Sequence, residues 1–325
     1  MLNVNQAQFD EMDLLSQNKK PFFFMVDFLM QDVKVYTASQ LAKQKEILIQ
    51  FPGFSNSDKI HIDKEFTFQA FPQDFESYKK GFDIVQENLR AGNSYLLNYT
   101  CKTPVKTSLS LREVFYRSQA KYKVLFRDEF VFFSPETFVE VKDHKIFTHP
   151  MKGTIDAELE DAAKILRENP KEKAEHYTVI DLLRNDLSMV ADNVQLTDFQ
   201  RIDHIKSRQK NLLAMSSEIS GELKPEFRYK TGTLMKTLLP AGSILGAPKR
   251  KTLEIILQAE TFQRGFYTGV CGWFDGENLD SCVMIRFIEK ENNQLFFKSG
   301  GGITHLSKAE DEYNEMKNKI YVPIY

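Results

Sequence analysis

Lys152 lies in the pentapeptide Pro150-Met151-Lys152-Gly153-Thr154. A lysine between a proline and a glycine is expected on a constrained turn, which aims its amine at one place. In a closed, water-poor site such an amine can lose its proton and act as a nucleophile. Taken alone, the same pentapeptide also describes a solvated surface turn. Near the C-terminus, Leu295-Phe296-Phe297-Lys298-Ser299 reads as a strand running into Gly300, Gly301 and Gly302, with a helix following closely. Three glycines allow close backbone approach and can present N–H groups to an anion, although a simple loop has the same composition. A phosphate loop is excluded, because no lysine and hydroxyl follow the glycines. On the closing helix Glu312, Glu315 and Lys319 share one face. Two carboxylates a turn apart suit a hard cation such as Mg²⁺, and they equally describe a charged, solvated helix face. A second carboxylate source is Glu175, which opens Glu175-His176-Tyr177-Thr178-Val179-Ile180-Asp181-Leu182-Leu183-Arg184-Asn185-Asp186-Leu187. Its apolar residues recur at helical spacing, so this segment is a packed helix. Arg184 and Asp186 are expected to hold neighbouring loops, and His176 to be a bonded core histidine.

These groups must be positioned by the rest of a 325-residue chain with a net charge of −2. That length holds one large domain or two modest ones. The balanced charge gives no basic footprint for nucleic acid. Cys101, Cys271 and Cys282 have no metal-ligand spacing and read as thiols of a reducing compartment. The run from Pro21 to Val26 is too short to span a bilayer and reads as a buried strand, so the expectation is a cytoplasmic protein with no membrane partner. Strand-like runs fill the first part of the chain, and a helix is expected from Phe75 to Ala91. Strands are expected at Tyr95–Lys102, Tyr122–Phe126, Phe130–Phe133 and Val139–Thr148. A long helical stretch follows over Asp156–Val190, and another covers Ile244–Glu260 with Pro248 in its first turn. Strands at Gly269–Phe274, Ser281–Glu289 and Gln294–Ser299 precede a helix over Ser307–Ile320. Runs of strands with helices between them predict an α+β fold with antiparallel sheets.

Taken together, the segments resemble the chorismate-utilising enzymes, which include anthranilate, aminodeoxychorismate, isochorismate and salicylate synthases. The matching pieces are Ser134-Pro135-Glu136, PMKGT at 150–154, EHYTVIDLLRNDL at 175–187, PAGSILGAPK at 240–249, RGFYTGVCG at 264–272, MIR at 284–286 and SGGGI at 299–303. They run in family order over residues 75–325, behind a shortened β-rich region at 1–74 packed on the same fold. The resemblance implies two facing antiparallel sheets flanked by helices. It implies Mg²⁺ held by Glu175 and Glu315, with Glu312 beside them, and a cradle for a substrate carboxylate at Gly300, Gly301 and Gly302. Tyr267 and Arg286 match a clamp on the enolpyruvyl carboxylate, Lys319 adds positive charge, and Thr154 and Ser243 match hydroxyls lining the ring. Glu136 matches a general acid for the departing hydroxyl, a role that needs a raised pKa. Lysine at position 152 points to the members that aminate chorismate at carbon 4, through a covalent lysine intermediate, in 4-aminobenzoate and folate synthesis. Anthranilate-forming members typically carry alanine there.

Three positions depart from the family pattern. Leu96 stands where relatives usually carry glutamine, or lysine in the isochorismate-forming members, and leucine cannot activate water. Ala214 replaces a histidine linked to pyruvate elimination in anthranilate formation. Leu245 replaces a small hydroxyl residue, with no functional reading. No glutaminase segment is recognisable, so the resemblance implies ammonia supplied by a separate glutamine amidotransferase. An anthranilate or isochorismate synthase, or a chorismate-binding protein without catalysis, is the alternative.

Overall fold

Phe22-Phe23-Phe24-Met25-Val26 forms a strand in which all five residues are fully buried. Side chains alternate across a strand, so Phe22, Phe24 and Val26 enter one apolar cluster while Phe23 and Met25 enter another. A strand covered on both faces needs apolar residues at every position, which accounts for the unbroken run. The structure is a computed structural model. It describes residues 4–324 apart from 59, 61, 63, 64 and 206–210, and leaves the side chains of 152, 154, 171, 205 and 212 outside the description.

In chain order the first elements are α1 (Gln6–Gln17), β1 (Phe22–Val26), β2 (Val33–Thr37), α2 (Ala38–Leu41), β3 (Ile47–Phe51), β4 (Phe54–Ser55) and β5 (Phe68–Ala70). There follow α3 (Phe75–Arg90), β6 (Leu96–Thr107), α4 (Leu111–Arg117), β7 (Tyr122–Phe126), β8 (Phe130–Ser134), β9 (Thr137–Lys142), β10 (Lys145–Thr148) and β11 (Met151–Asp156). Next are α5 (Ala162–Glu168), α6 (Pro170–Val190), β12 (Ala191–Ile205), β13 (Leu212–Leu223), α7 (Thr231–Leu238), α8 (Gly242–Leu245), β14 (Gly246–Ala247) and α9 (Lys249–Ala259). The chain closes with β15 (Val270–Phe274), β16 (Leu279–Val283), β17 (Phe287–Glu291), β18 (Gln294–Ile303) and α10 (Ala309–Asn318).

Among the described residues the strands form two antiparallel sheets. One runs β11-β13-β10-β9-β16-β15-β1-β2 with β12 also on β13; the other runs β14-β6-β18-β17-β8-β7-β3-β4 with β5 on β6. This is the α+β arrangement expected. Phe23, Met25, Cys271 and Cys282 of the first sheet meet Ile49, Val124, Phe132 and Phe287 of the second, so one core lies between the sheets. Burial of each large side chain there contributes about 1.5–3 kcal/mol. Helices α1, α6 and α7 cover the outer face of the first sheet, and α3, α9 and α10 pack beside β6. No described helix is long and apolar enough to cross a membrane.

Several expected elements change. Val139–Thr148 is two strands, because Asp143 and His144 turn the chain at φ 50° and 61°. The stretch from 156 to 190 contains two helices, with Pro170 opening the second. Pro248 caps α9 from outside instead of sitting in its first turn. Ser281–Glu289 breaks at Met284–Arg286, with Arg286 at φ 55°, and its two halves join different sheets. The strand read to Ser299 runs on to Ile303, so the three glycines are strand and not turn. The three cysteines are buried and free, with Cys271 Sγ 3.4 Å from Cys282 Sγ on neighbouring strands.

Candidate active site

At the ends of the two sheets lies a cleft, open to solvent, with about 120 Å³ of enclosed space. Its lining includes Glu136, Ser243, Tyr267, Arg286, Gly300, Gly301, Gly302 and Lys319, so eight residues singled out in the sequence, from six separated places, share one concave surface. Each is delivered by a different device. Glu136 follows β8, where Ser134 Oγ accepts from its backbone N at 3.1 Å. Ser243 comes from the one-turn helix α8 and donates its hydroxyl to Glu136 Oε1 at 3.3 Å. That turn is tied to α6: Gly242 N donates to Asp186 Oδ2 at 3.2 Å, and Asp186 Oδ1 pairs with Lys249 Nζ at 2.9 Å. Burial raises the Asp186 pKa, and Lys249 works against that rise. Asp186 is therefore the loop holder expected. Arg184 is not, since its ion-pair partner, at 3.5 Å, is Asp181 of its own helix.

The glycines form the floor. Gly300, Gly301 and Gly302 pair with Thr100, Tyr99 and Asn98 of β6. Gly300 needs glycine for room: a Cβ there would lie 2.3 Å from the Tyr99 carbonyl oxygen, whereas one on Gly301 would make ordinary contact, 3.4 Å from both Glu312 Oε2 and Glu315 Oε1. Replacing Gly300 by alanine is expected to destabilise the protein by about 1–3 kcal/mol, because backbone on the partner strand cannot swing aside. Chemical denaturation checks this.

Over the floor, Lys319 Nζ donates to Gly300 O at 2.9 Å and pairs with Glu315 Oε1 at 2.7 Å. Glu312 is 3% exposed, far from the solvated position its helix face suggested, and accepts from Ser307 Oγ at 2.7 Å. Arg286 is held by its Nη1 donating to Lys319 O at 3.1 Å and by the Tyr321 ring 4.9 Å away. Tyr267 is buried, which pushes its hydroxyl pKa upward and keeps it a neutral donor. Glu175 does not line the cleft. It is half-buried on α6, one and two turns before Val179 and Leu183, which do line it, so it lies on the same helix face. His176 is a bonded core histidine, its Nε2 2.8 Å from Ser217 Oγ.

Lys152 and Thr154 are placed by backbone only; their side chains lie outside the description. They sit in β11, opposite Met215 and Ala214 of β13, with a register shift between them at Gly153, whose φ is 75°. The expected turn is thus a bulged strand, and Pro150 and Met151 just before Lys152 line the cleft.

The cleft also holds polar residues that sequence reasoning passed over. Asn98, Thr137, Thr148, His149 and Lys298 contribute to its lining. Asn98 is two residues beyond Leu96 on one strand face, and His149 directly precedes the PMKGT motif; adjacency to a motif was the available signal. Burial lowers the His149 pKa despite the opposing Glu140 and Glu218.

A family model described as chorismate binding enzyme matches residues 15–324. The chain belongs to that family. A Haemophilus influenzae relative named "Uncharacterized PabA-like protein" is 46% identical over 308 residues, covering 95% of this chain and 94% of the relative. Aminodeoxychorismate synthase component 1 of Bacillus subtilis is 32% identical over 267 residues, covering 79% of this chain and 55% of that protein. Among solved structures, a protein titled as a putative 2,3-dihydroxybenzoate-specific isochorismate synthase from Bacillus anthracis superimposes with a TM-score of 0.72. It is 23% identical and covers 97% of this chain and 87% of its own, a likeness of fold.

Within this chorismate binding enzyme the three departures have structural places. Leu96 is 2% exposed and joins the apolar cluster of Val179, Leu183 and Ile244, three residues that form one wall of the cleft. Ala214 is fully buried between β11 and β12. Leu245 packs with Leu97, Tyr99 and Ile255, so its role is in the core.

Proposed function

We propose that this chorismate binding enzyme aminates chorismate at carbon 4, with ammonia, to give 4-amino-4-deoxychorismate, the precursor of 4-aminobenzoate in folate synthesis. The observation that carries the reading is the lysine at position 152, on the bulged strand whose preceding residues line the same cleft as Glu136, Ser243, Tyr267 and Arg286. The 32% identity to an aminodeoxychorismate synthase component supports it.

In this reading the cations Arg286 and Lys319 and the Tyr267 hydroxyl hold the substrate carboxylates over the glycine floor, where a guanidinium suits bidentate binding. Ser243 faces the ring, and the resemblance assigns Thr154 a second hydroxyl there. The Lys152 amine attacks carbon 2, the two conjugated ring double bonds shift in concert, and the carbon 4–oxygen bond breaks. Glu136 gives its proton to the departing hydroxyl, which leaves as water. Ammonia then adds at carbon 4, both double bonds shift back, and the carbon 2–nitrogen bond to Lys152 breaks, returning a free amine, while the new ammonium at carbon 4 gives its extra proton back to the Glu136 carboxylate. The apolar wall of Val179, Leu183 and Ile244, with Leu96 packed into the same cluster, offers no group to activate water as a competing nucleophile.

Mg²⁺ fits the donor chemistry. The ion takes hard oxygens and needs only one or two carboxylates beside water and substrate. Glu312 and Glu315 converge on Gly301, and Glu175 lies on the cleft-facing side of α6, although no three acidic groups come together among the described residues. Glu312 and Glu315, which do converge, would hold the ion, with Glu175 the further ligand that the resemblance implies; when bound, the ion would neutralise a substrate carboxylate and draw electron density from the ring. Ammonia would come from a separate glutamine amidotransferase subunit.

Incubation with chorismate, Mg²⁺ and an ammonium salt, followed by chromatography and mass spectrometry, tests the reading. The expected product is aminodeoxychorismate, which a downstream lyase converts to 4-aminobenzoate. Anthranilate, isochorismate or unchanged chorismate would overturn it.

A further inference from the structure

The outer edge of β6 is paired by β14 at Leu96 and Leu97 and by β5 from Val105 to Thr107, leaving a gap at Asn98 and Thr100. A buried ion pair fills that gap. Arg264 Nη2 donates to the Asn98 carbonyl oxygen at 2.6 Å, while Thr100 donates its backbone N and its hydroxyl to Glu260 Oε1, both at 2.8 Å. The pair is a two-point fork, Arg264 Nε to Glu260 Oε2 at 2.9 Å and Nη2 to Oε1 at 2.6 Å, with side chains 2% and 3% exposed. On their other edge, Asn98 and Thr100 pair with Gly302 and Gly300 of the cleft floor.

The same arginine reaches the opposite side of the cleft. Its Nη1 donates to Thr268 Oγ1 at 3.2 Å, and its carbonyl oxygen accepts from Tyr267 N at 3.2 Å and from the buried Lys298 Nζ at 2.9 Å. Thr268 sits at φ 62°, a left-handed conformation rare for a β-branched residue that the surroundings must maintain. Thr268 N in turn donates to Met284 O, and Met284 N to Gly269 O, each at 2.8 Å. Two residues on is Arg286. One fork therefore touches the strand under the glycine floor, the turn carrying Tyr267 and, through Met284, the segment carrying Arg286.

We infer that Glu260 and Arg264 are positioning residues for substrate carboxylate binding: they fix Tyr267 and Arg286 relative to the glycine floor without touching the ligand themselves. The inference rests on the cleft being the chorismate site and is independent of which product forms. Small displacements of a binding group remote from the mutated residue are costly, so the effect should appear in substrate affinity.

The test uses Glu260→Gln, which keeps the shape and removes the charge, and Thr268→Val, which removes the hydroxyl that relays from Arg264 Nη1 to the Tyr267 carbonyl oxygen at 2.6 Å and leaves the ion pair intact. KM for chorismate is expected to rise about tenfold in the first and about fivefold in the second, with kcat within about threefold of wild type. Hydrogen exchange should show lost protection at 266–269 and 284–286 in Thr268→Val at nearly unchanged global stability. That readout needs no turnover, so it judges the inference even if the proposed reaction is wrong. Val85→Ala, a core truncation outside the network, should lower stability and leave KM unchanged. Unaltered KM and exchange in Thr268→Val, or an equal KM rise in Val85→Ala, would overturn the positioning role.

Discussion

Replacing Lys152 by alanine is expected to lower the rate of aminodeoxychorismate formation on the order of a thousandfold, with chorismate binding largely kept. The carboxylate-binding groups proposed come from β18 (the glycine floor), the residue just after α10 (Lys319), the segment before β15 (Tyr267) and the break between β16 and β17 (Arg286), whereas Lys152 comes from β11, which none of them shares. Losing the lysine side chain therefore removes the nucleophile and leaves the clamp standing, a pattern seen as a fall in kcat at similar KM. A second readout is independent of rate. Wild-type protein given chorismate without ammonia should accumulate an adduct on the peptide containing Lys152, heavier by chorismate minus water, since the amine replaces the 4-hydroxyl that leaves as water. Lys152→Ala should show no adduct. Full activity with the same product in the alanine variant would remove Lys152 from the chemistry.

How far the fold could be read from the sequence depended on whether a segment's neighbours are local. β7 begins and ends where it is expected, and the buried strand β1 is recognisable because burial on both faces leaves an all-apolar string. α1 was missed. Its buried residues Phe9, Met12, Leu15 and Ser16 make a narrow stripe among polar residues, and α7 is what makes that stripe a packed face. β12 and β13 were missed for a similar reason: their long pairing satisfies the backbone while leaving many β12 side chains exposed, so no period-2 apolar pattern appears. For the site, residue types were legible through the motifs, but convergence was not. Nothing in the spacing of Glu312 and Glu315 says that the first is buried under the glycine strand and the second paired with Lys319. The break between β16 and β17 that presents Arg286 arises from the chain passing from one sheet to the other, which is a property of the tertiary arrangement.

Glu136→Gln should cost about 10²–10⁴ in kcat, the usual worth of a general acid, with a smaller change in KM. The substitution keeps the shape and the acceptor oxygen that Ser243 uses at 3.3 Å, so the α8 turn should stay in place and the loss should report proton donation. The reacting hydroxide is a poor leaving group, and water is the species that departs. A carboxamide has no proton of suitable acidity to give, so the carbon 4–oxygen bond would break unassisted in the variant. A leaving group that needs no proton bypasses the requirement: a chorismate analogue with a better leaving group at carbon 4 should recover most of the lost rate in Glu136→Gln and gain little in the wild type. The same analogue should not rescue Lys152→Ala, where the nucleophile is missing. Equal loss on both substrates would instead mean that Glu136 serves binding or packing, and that proton donation must come from another group in the cleft, with His149 the next candidate by position.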